Sequence, residues 1–191
     1  MEGHPVSYSL TKIIELMVPA YTNFGGKVHG GTLMSMMDKV AYVCASKHAG
    51  NYCVTVSVDA VEFLQPVEVG EVVSMLASVN YVGTKSLVVG IKVMAENIRT
   101  GTERHTNTSY FTMVAKDAEG NTAMVPPLIL ETEDDVRRYC SALQRKRLRD
   151  HARDYMTDYR QNFAVDTGVQ TFLEKQRCIL QTELSPGGNQ G

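Results

Sequence analysis

The stretch 32–49 is long enough for a helix and apolar on nearly every side, which few folds can accommodate. Leu33, Met36, Met37, Val40, Ala41 and Cys44 recur at helical spacing, and Gly50 and Asn51 follow as a helix end would. Such a helix predicts burial against a broad surface rather than a seat on top of one. From Cys53 the period drops to two: CVTVSVDAVEF sets Val54, Val56, Val58 and Ala60 against Thr55, Ser57, Asp59 and Val61. Further β-rich runs span 71–81, 86–96 and 104–116, separated by GTK and by the residues around Gly101; DAEGN is a tight turn. Ahead of the helix, KIIELMV (12–18) reads as a strand stopped by Pro19. One early helix with long strands and short turns predicts an α+β fold, a long antiparallel sheet wrapped round one helix.

Pro126 and Pro127 close the sheet region. Thr132 then caps a second helix, with Glu133, Asp134 and Asp135 in its first turn, where the helix dipole favours negative charge. Val136, Tyr139, Cys140 and Leu143 form its apolar stripe, and Arg145, Lys146, Arg147, Arg149 and Arg153 follow. The expected parts are a sheet-and-helix domain over 7–131, a basic helix over 132–158 and a tail over 159–191. Within the tail a short amphipathic helix is predicted at 168–181, docked on a neighbour, and the final SPGGNQG is expected to be disordered. A net charge of −2 across 191 residues gives no global pull toward nucleic acid. No apolar run reaches the roughly 18–20 residues of a membrane helix, and MEGHPVSYSLTK lacks a signal peptide's apolar core. The four cysteines show no metal spacing; Cys44 and Cys140 fall on apolar helical faces. Reduced cysteines in a cytoplasmic protein with no metal are the expectation.

The chemistry-bearing residues cluster at the start of the first helix. Gly30 and Gly31, after His29, place bare backbone N–H groups at the positive end of the dipole. That arrangement suits a developing oxyanion or a phosphate, and equally a close-packed turn that needs glycine for space. It is neither a Walker loop nor a dinucleotide fingerprint. Asp38 is the one acid of the helix. Buried, it would be costly unless used, and desolvation would lift its pKa toward that of a general base. Paired with Lys39 or Lys47 at the surface it would do nothing. Asn23 reads as a turn residue or a donor to a substrate carbonyl; His29 reads as a loop anchor or a ligand contact. The remaining histidines have no metal spacing, and no GxSxG elbow supports a serine hydrolase. The basic run 145–153 reads as a solvated face or as a site for ligand phosphates.

NFGGKVHGGTLMSMMDKVAYVCASKH, followed by VTVSVDAVEFLQPVEVGEVV, VGTKSLVV and YFTMVAKDAEGNTAMVPPL, resembles the hotdog-fold acyl-CoA thioester hydrolases over about 10–131. The resemblance implies a hotdog fold, a curved antiparallel sheet around one central helix, paired into dimers and often trimers of dimers. It implies a site between subunits, where Asp38 of one chain faces Asn23 of another and Gly31 N–H receives the thioester carbonyl. Asp38 would activate water or attack directly, and coenzyme A would leave as a thiol; no cofactor is implied beyond that substrate. His29, Gly30, Thr55, Ser57, Asp59 and Phe63 would line the acyl and pantetheine channel. Gly83, Lys85 and Ser86 form the turn at the coenzyme A end, with Lys85 where relatives often carry threonine. Arg145 and Arg147 are candidate phosphate contacts. Acyl-CoA and further copies of the chain are the expected partners, with no nucleic acid and no membrane. Two other readings stay open: a hotdog hydratase or dehydratase, for which His29 is the only candidate histidine, and a non-catalytic acyl-CoA-binding or regulatory module, which would not need Asp38.

Overall fold

The computed structural model describes residues 2–182, so the expected disorder at SPGGNQG lies outside the described residues. The chain divides into two compact units, Met1–Leu143 and Gln144–Gly191. In the first unit, β1 (His4–Pro5) and α1 (Val6–Ser9) precede β2 (Thr11–Leu16), a 3-10 turn (Pro19–Tyr21) and the helix α2 (Gly30–Ala49). There follow β3 (Tyr52–Val58), β4 (Val72–Val82), β5 (Ser86–Asn97), β6 (Thr102–Lys116) and β7 (Leu128–Ile129). The helix α3 (Glu133–Asn162) starts in the first unit and ends in the second, which also holds α4 (Thr167–Leu173).

The sheet runs β2-β4-β5-β6-β3 with every neighbouring pair antiparallel. Gly101, at φ 68°, turns β5 into β6, and the side chain of Asn97 accepts from the Arg99 and Thr100 N–H groups there. α2 lies on one face of this sheet. Met37, Val40, Ala41, Cys44 and Ala45 are fully buried against Val73, Met75 and Val79 of β4, Leu87 and Val89 of β5, and Phe111 and Met113 of β6. Burial pushes the Cys44 thiol up to about 12, an inert small hydrophobe. Among the described residues no helix is long and apolar enough to cross a membrane.

Several expectations need correction. α2 is not buried all round: Met34, Asp38 and Tyr42, on one stripe, stay exposed in the single chain because the sheet covers only the opposite face. β3 ends at Val58 rather than at Phe63, and its register slips between Thr55 and Ser57. This bulge breaks the alternation and leaves Val56 and Val58 exposed on an edge strand. Cys140 is exposed because α3 turns Tyr139 toward Tyr81, ring centroids 5.3 Å apart, and buries Ala142 instead. In the second unit α4 is only Thr167–Leu173, capped by the Asp166 side chain on Val169 N–H. Tyr155, Tyr159 and Phe163 of that unit line a cavity with Val169, Phe172 and Leu173, and Ile179 is 89% exposed. The helix stops short of its predicted end at 181.

The N-terminal residues ahead of β2 also form elements. β1 pairs in parallel with β7, and His4 Nδ1 meets the carbonyl of His48 at 2.9 Å. His48 is fully buried, its Nε2 3.0 Å from the Pro126 carbonyl. Burial holds its pKa below the ordinary 6.5; the Pro126 carbonyl opposes that shift and the nearby His4 adds to it. Below pH 6.5 the unfolded chain takes up a proton that the folded ring resists, so His48 favours folding fully above 6.5 and progressively less as pH falls toward its folded value. Urea midpoints should therefore drop between pH 7.5 and 5.5, and His48→Gln should shrink that drop; an equal drop in the variant would rule His48 out as its source.

Candidate active site

The loop before α2 is built on Asn23. Its Oδ1 accepts from Gly25 N–H at 2.8 Å and Lys27 N–H at 3.2 Å, and its backbone N–H donates to Lys27 at 2.7 Å. Gly26, at φ 77°, supplies the left-handed residue of that turn. Phe24 at the loop tip is fully exposed. Asn23 is thus a turn residue in the single chain, yet only through its oxygen; Nδ2 has no partner among the described residues. His29 is the N-cap of α2: its Nδ1 accepts from Gly31 N–H at 2.9 Å. The amide expected to receive a carbonyl is therefore occupied in the single chain. The ring of Phe63 lies at the helix start, 3.5 Å from where a Cβ on Gly30 would stand.

Asp38 sits two turns further on. Thr55 Oγ1 donates to Asp38 Oδ1 at 2.6 Å, and Thr55 pairs in register with Met113, whose Sδ is 3.1 Å from the same hydroxyl. A charge-assisted bond of this kind fixes the carboxylate rotamer and leaves Oδ2 open. Asp38 is exposed in the single chain rather than desolvated, for want of a cover over this stripe. A cavity of about 540 Å³ opens beside it, lined by Asp38, Lys39, Tyr42, Tyr52, Thr55 and Met113 among others. Tyr42 and Tyr52 stand with ring centroids 5.7 Å apart, forming an aromatic wall. Sequence reasoning set Tyr42 beside Asp38 on the helix without giving it a part in the site, and missed Tyr52 and Met113. Tyr42 lies four residues after Asp38 on the same helical face; Tyr52 and Met113 needed the β3–β6 register.

The other expected residues spread along the sheet. Ser57 is in register with Thr112, and Asp59 N–H donates to the Tyr110 carbonyl at 3.0 Å. Gly83, Lys85 and Ser86 form the β4–β5 turn, closed by Gly83 N–H on the Ser86 carbonyl at 2.7 Å, with the Lys85 side chain exposed. No hydrogen bond joins Asn23 to Asp38 among the described residues. Arg145 and Arg147 belong to the second unit. There Asp150 engages Lys146 at 3.0 Å and Arg153 at 3.3 Å, so part of the basic run is neutralised within its own helix. Among the described residues no cluster of His, Cys, Asp or Glu could hold a metal ion.

Comparison with known proteins places this architecture. The sequence model of the thioesterase superfamily matches residues 25–102. Protein VdlD of Helicobacter pylori is 47% identical over 70% of this chain and 76% of its own. The crystal structure of an apo-hexameric acyl-CoA thioesterase superposes with a TM-score of 0.77 at 34% identity, covering 80% of this chain and 97% of that one. An acyl-CoA hydrolase of Staphylococcus aureus, solved with butyryl coenzyme A, coenzyme A and coenzyme A disulfide, superposes at 0.75 with 32% identity over 83% and 96% of the two chains. The same S. aureus enzyme has been solved as alanine variants of an aspartate, an asparagine and a threonine. With a five-stranded antiparallel sheet curled over one long helix and relatives of this kind, the chain belongs to the thioesterase superfamily and has the hotdog fold of its acyl-CoA thioester hydrolases.

Proposed function

We propose that this protein hydrolyses an acyl-CoA thioester to a free acid and coenzyme A, with Asp38 as the base. The observation that carries the reading is Asp38 Oδ1 held at 2.6 Å by the Thr55 hydroxyl at the edge of an open cavity. The remaining oxygen, Oδ2, is free to take a proton from water. The water oxygen attacks the thioester carbon, the C–S bond breaks, and the proton leaves with the thiolate as coenzyme A thiol. In the S. aureus hydrolase the three residues replaced by alanine stand at the same mutual spacing as Asn23, Asp38 and Thr55 here, which supports giving these three the chemistry.

A second copy of the chain completes the site in this reading. Its support is the uncovered stripe Met34, Asp38 and Tyr42, the exposed Val56 and Val58 on an edge strand, and the bare Phe24 beside Asn23. Asn23 Nδ2 of one subunit then donates to the thioester carbonyl or the water beside Asp38 of the other. The carbonyl is polarised at the start of α2, by Gly30 N–H and by Gly31 N–H once His29 turns away. Phe63, Ser57 and Asp59 flank the acyl and pantetheine portion, and the Gly83–Ser86 turn with Lys85 meets the coenzyme A end. Arg145 and Arg147 are offered to its phosphates on charge alone. His29 caps α2 and makes no bond to Asp38, whose partner is Thr55, which favours hydrolysis over the dehydratase reading. The four unpaired cysteines favour the cytoplasm as the place of work.

Thiol release from a panel of acyl-CoAs is the direct test, run beside a sizing column. Turnover of at least one chain length by an assembly of two or more copies is expected. Silence across the panel would end the catalytic reading, and a stable, active monomer would end the shared site.

A further inference from the structure

A second cavity of about 540 Å³ lies on the opposite face of the sheet from α2 and shares no lining residue with the one beside Asp38. Its floor is Ser78, Asn80, Gly90 and Ile91, and Lys92, Arg137 and Arg138 stand around it. Asn80 sits where the β4–β5 register slips, between Val79 and Tyr81. Bulges of this kind re-aim a side chain out of the ladder, and they gather at functional sites. The residue as a whole is 6% exposed, and its side chain lines the groove. Arg138 Nη1 donates to Ser78 Oγ at 3.3 Å, and Ser78 Oγ donates onward to Asn80 Oδ1 at 3.0 Å. This chain fixes the amide with its oxygen spent and its NH₂ left over. Nδ2 has no hydrogen-bond partner among the described residues.

The opposite strand makes room for that amide. A Cβ on Gly90 would come within 2.3 Å of Asn80 Nδ2, so only glycine lets the group lie where it does. Asn80 lines the groove, so its spare NH₂ is open to an acceptor oxygen of a ligand there. The charge around it decides the ligand's sign. Asp134 pairs with both Arg137 and Arg138, leaving one net positive charge among the three, and Lys92 adds another. Leu10, Leu76 and Tyr110 give the groove an apolar wall for the body of a small molecule.

We propose that this outer groove is an anion site that binds a phosphate-bearing small molecule, with Asn80 Nδ2, Arg138 and Lys92 as its donors. Phosphate binding here does not rest on the thioesterase reading, because every group in the groove lies outside the Asp38 cavity; only the coenzyme A source does. The phosphate belongs either to a free phosphate ester or to the coenzyme A portion of a substrate held by another copy of the chain.

The probe is inorganic phosphate at constant ionic strength, with chloride as the control, read by thermal shift and calorimetric titration of the intact protein. Wild type should be stabilised by phosphate over chloride, and the apparent Kd should rise at least tenfold in Arg138→Gln and in Lys92→Gln. Gly90→Ala leaves every charge in place and displaces only the Asn80 amide; it should weaken phosphate comparably while the protein stays folded. Equal phosphate affinity in wild type and all three variants would overturn the site, as would no preference for phosphate over chloride. Comparing acyl-CoA with its 3′-dephospho form separates the two sources. If the groove takes the substrate's own phosphate, Lys92→Gln raises KM only for the phosphorylated form. If it takes a free ester, KM is untouched while phosphate affinity still falls.

Discussion

Asp38→Ala should lower kcat for the best acyl-CoA on the order of 10²–10⁴-fold, the usual scale for removing a general base, about 3–5 kcal/mol in the barrier. KM should change little, because the carboxylate meets the water rather than the bulk of the ligand. The unfolding midpoint should also hold, since Asp38 lies on the exposed stripe of α2 and its only bond among the described residues is from Thr55. Thr55→Val is the companion. It removes the 2.6 Å bond that orients the carboxylate, so it should cost less than Asp38→Ala and add little on top of it, because the two residues act as one unit. Turnover surviving at wild-type level in Asp38→Ala would sink the assignment, whichever route the acyl group takes. A large loss in Asp38→Ala accompanied by a collapsed midpoint would instead mark Asp38 as structural.

Why Asp38 was expected to be buried, and is not in one chain, shows what sequence periodicity can carry. α2 and the strands β4, β5 and β6 were legible because each has a sustained period and a clear punctuation: Gly50, the GTK turn and Gly101. Periodicity reports that a face is apolar and is silent on who covers it. The helix reads as apolar all round because one side meets its own sheet at Val40 and Cys44, while the other, at Met34 and Tyr42, is left uncovered by this chain. The same blindness hid the Val56 bulge, where an apolar residue kept the alternation going on paper after the ladder had slipped. β1 and α1 were illegible for a different reason. Two residues of parallel pairing have no period at all, and their anchoring rests on the carbonyl of His48, far along the chain. Gly31 and Asp38 stood out in the sequence as a bare glycine and a lone acid, whereas Asn23 read as a turn residue until the family resemblance offered it a task. The Thr55 contact rests on β3 lying alongside α2, which is a tertiary fact.

Arg104→Ala should destabilise the fold by about 3–5 kcal/mol at neutral pH, the usual cost of stranding one member of a buried ion pair. Glu71 is 4% exposed, and Arg104 clasps it with two bonds, Nη1 to Oε1 at 2.6 Å and Nη2 to Oε2 at 2.7 Å. The same guanidinium donates to the Pro66 carbonyl at 2.8 Å, and Glu71 Oε2 also accepts from Glu68 N–H at 2.9 Å. Together these bonds pin the end of the irregular segment 59–71, whose Phe63 lies against the start of α2, so the pair braces the candidate site as well as the core. Burial alone would raise the Glu71 pKa, but the bonds from Arg104 and from Glu68 N–H outweigh it and hold the carboxyl below its ordinary 4.5. A depressed folded pKa contributes stability that is complete above 4.5 and is lost as pH falls through the folded value. The gap between wild type and Arg104→Ala should therefore be widest near pH 7 and narrow below pH 4.5, where the stranded carboxyl is neutralised. Adding Glu71→Gln to Arg104→Ala should recover part of the loss at pH 7, because the unpaired buried charge is gone. A gap under about 1 kcal/mol at pH 7, the scale of an exposed ion pair, would show that Arg104 and Glu71 are solvated in the working protein and brace nothing.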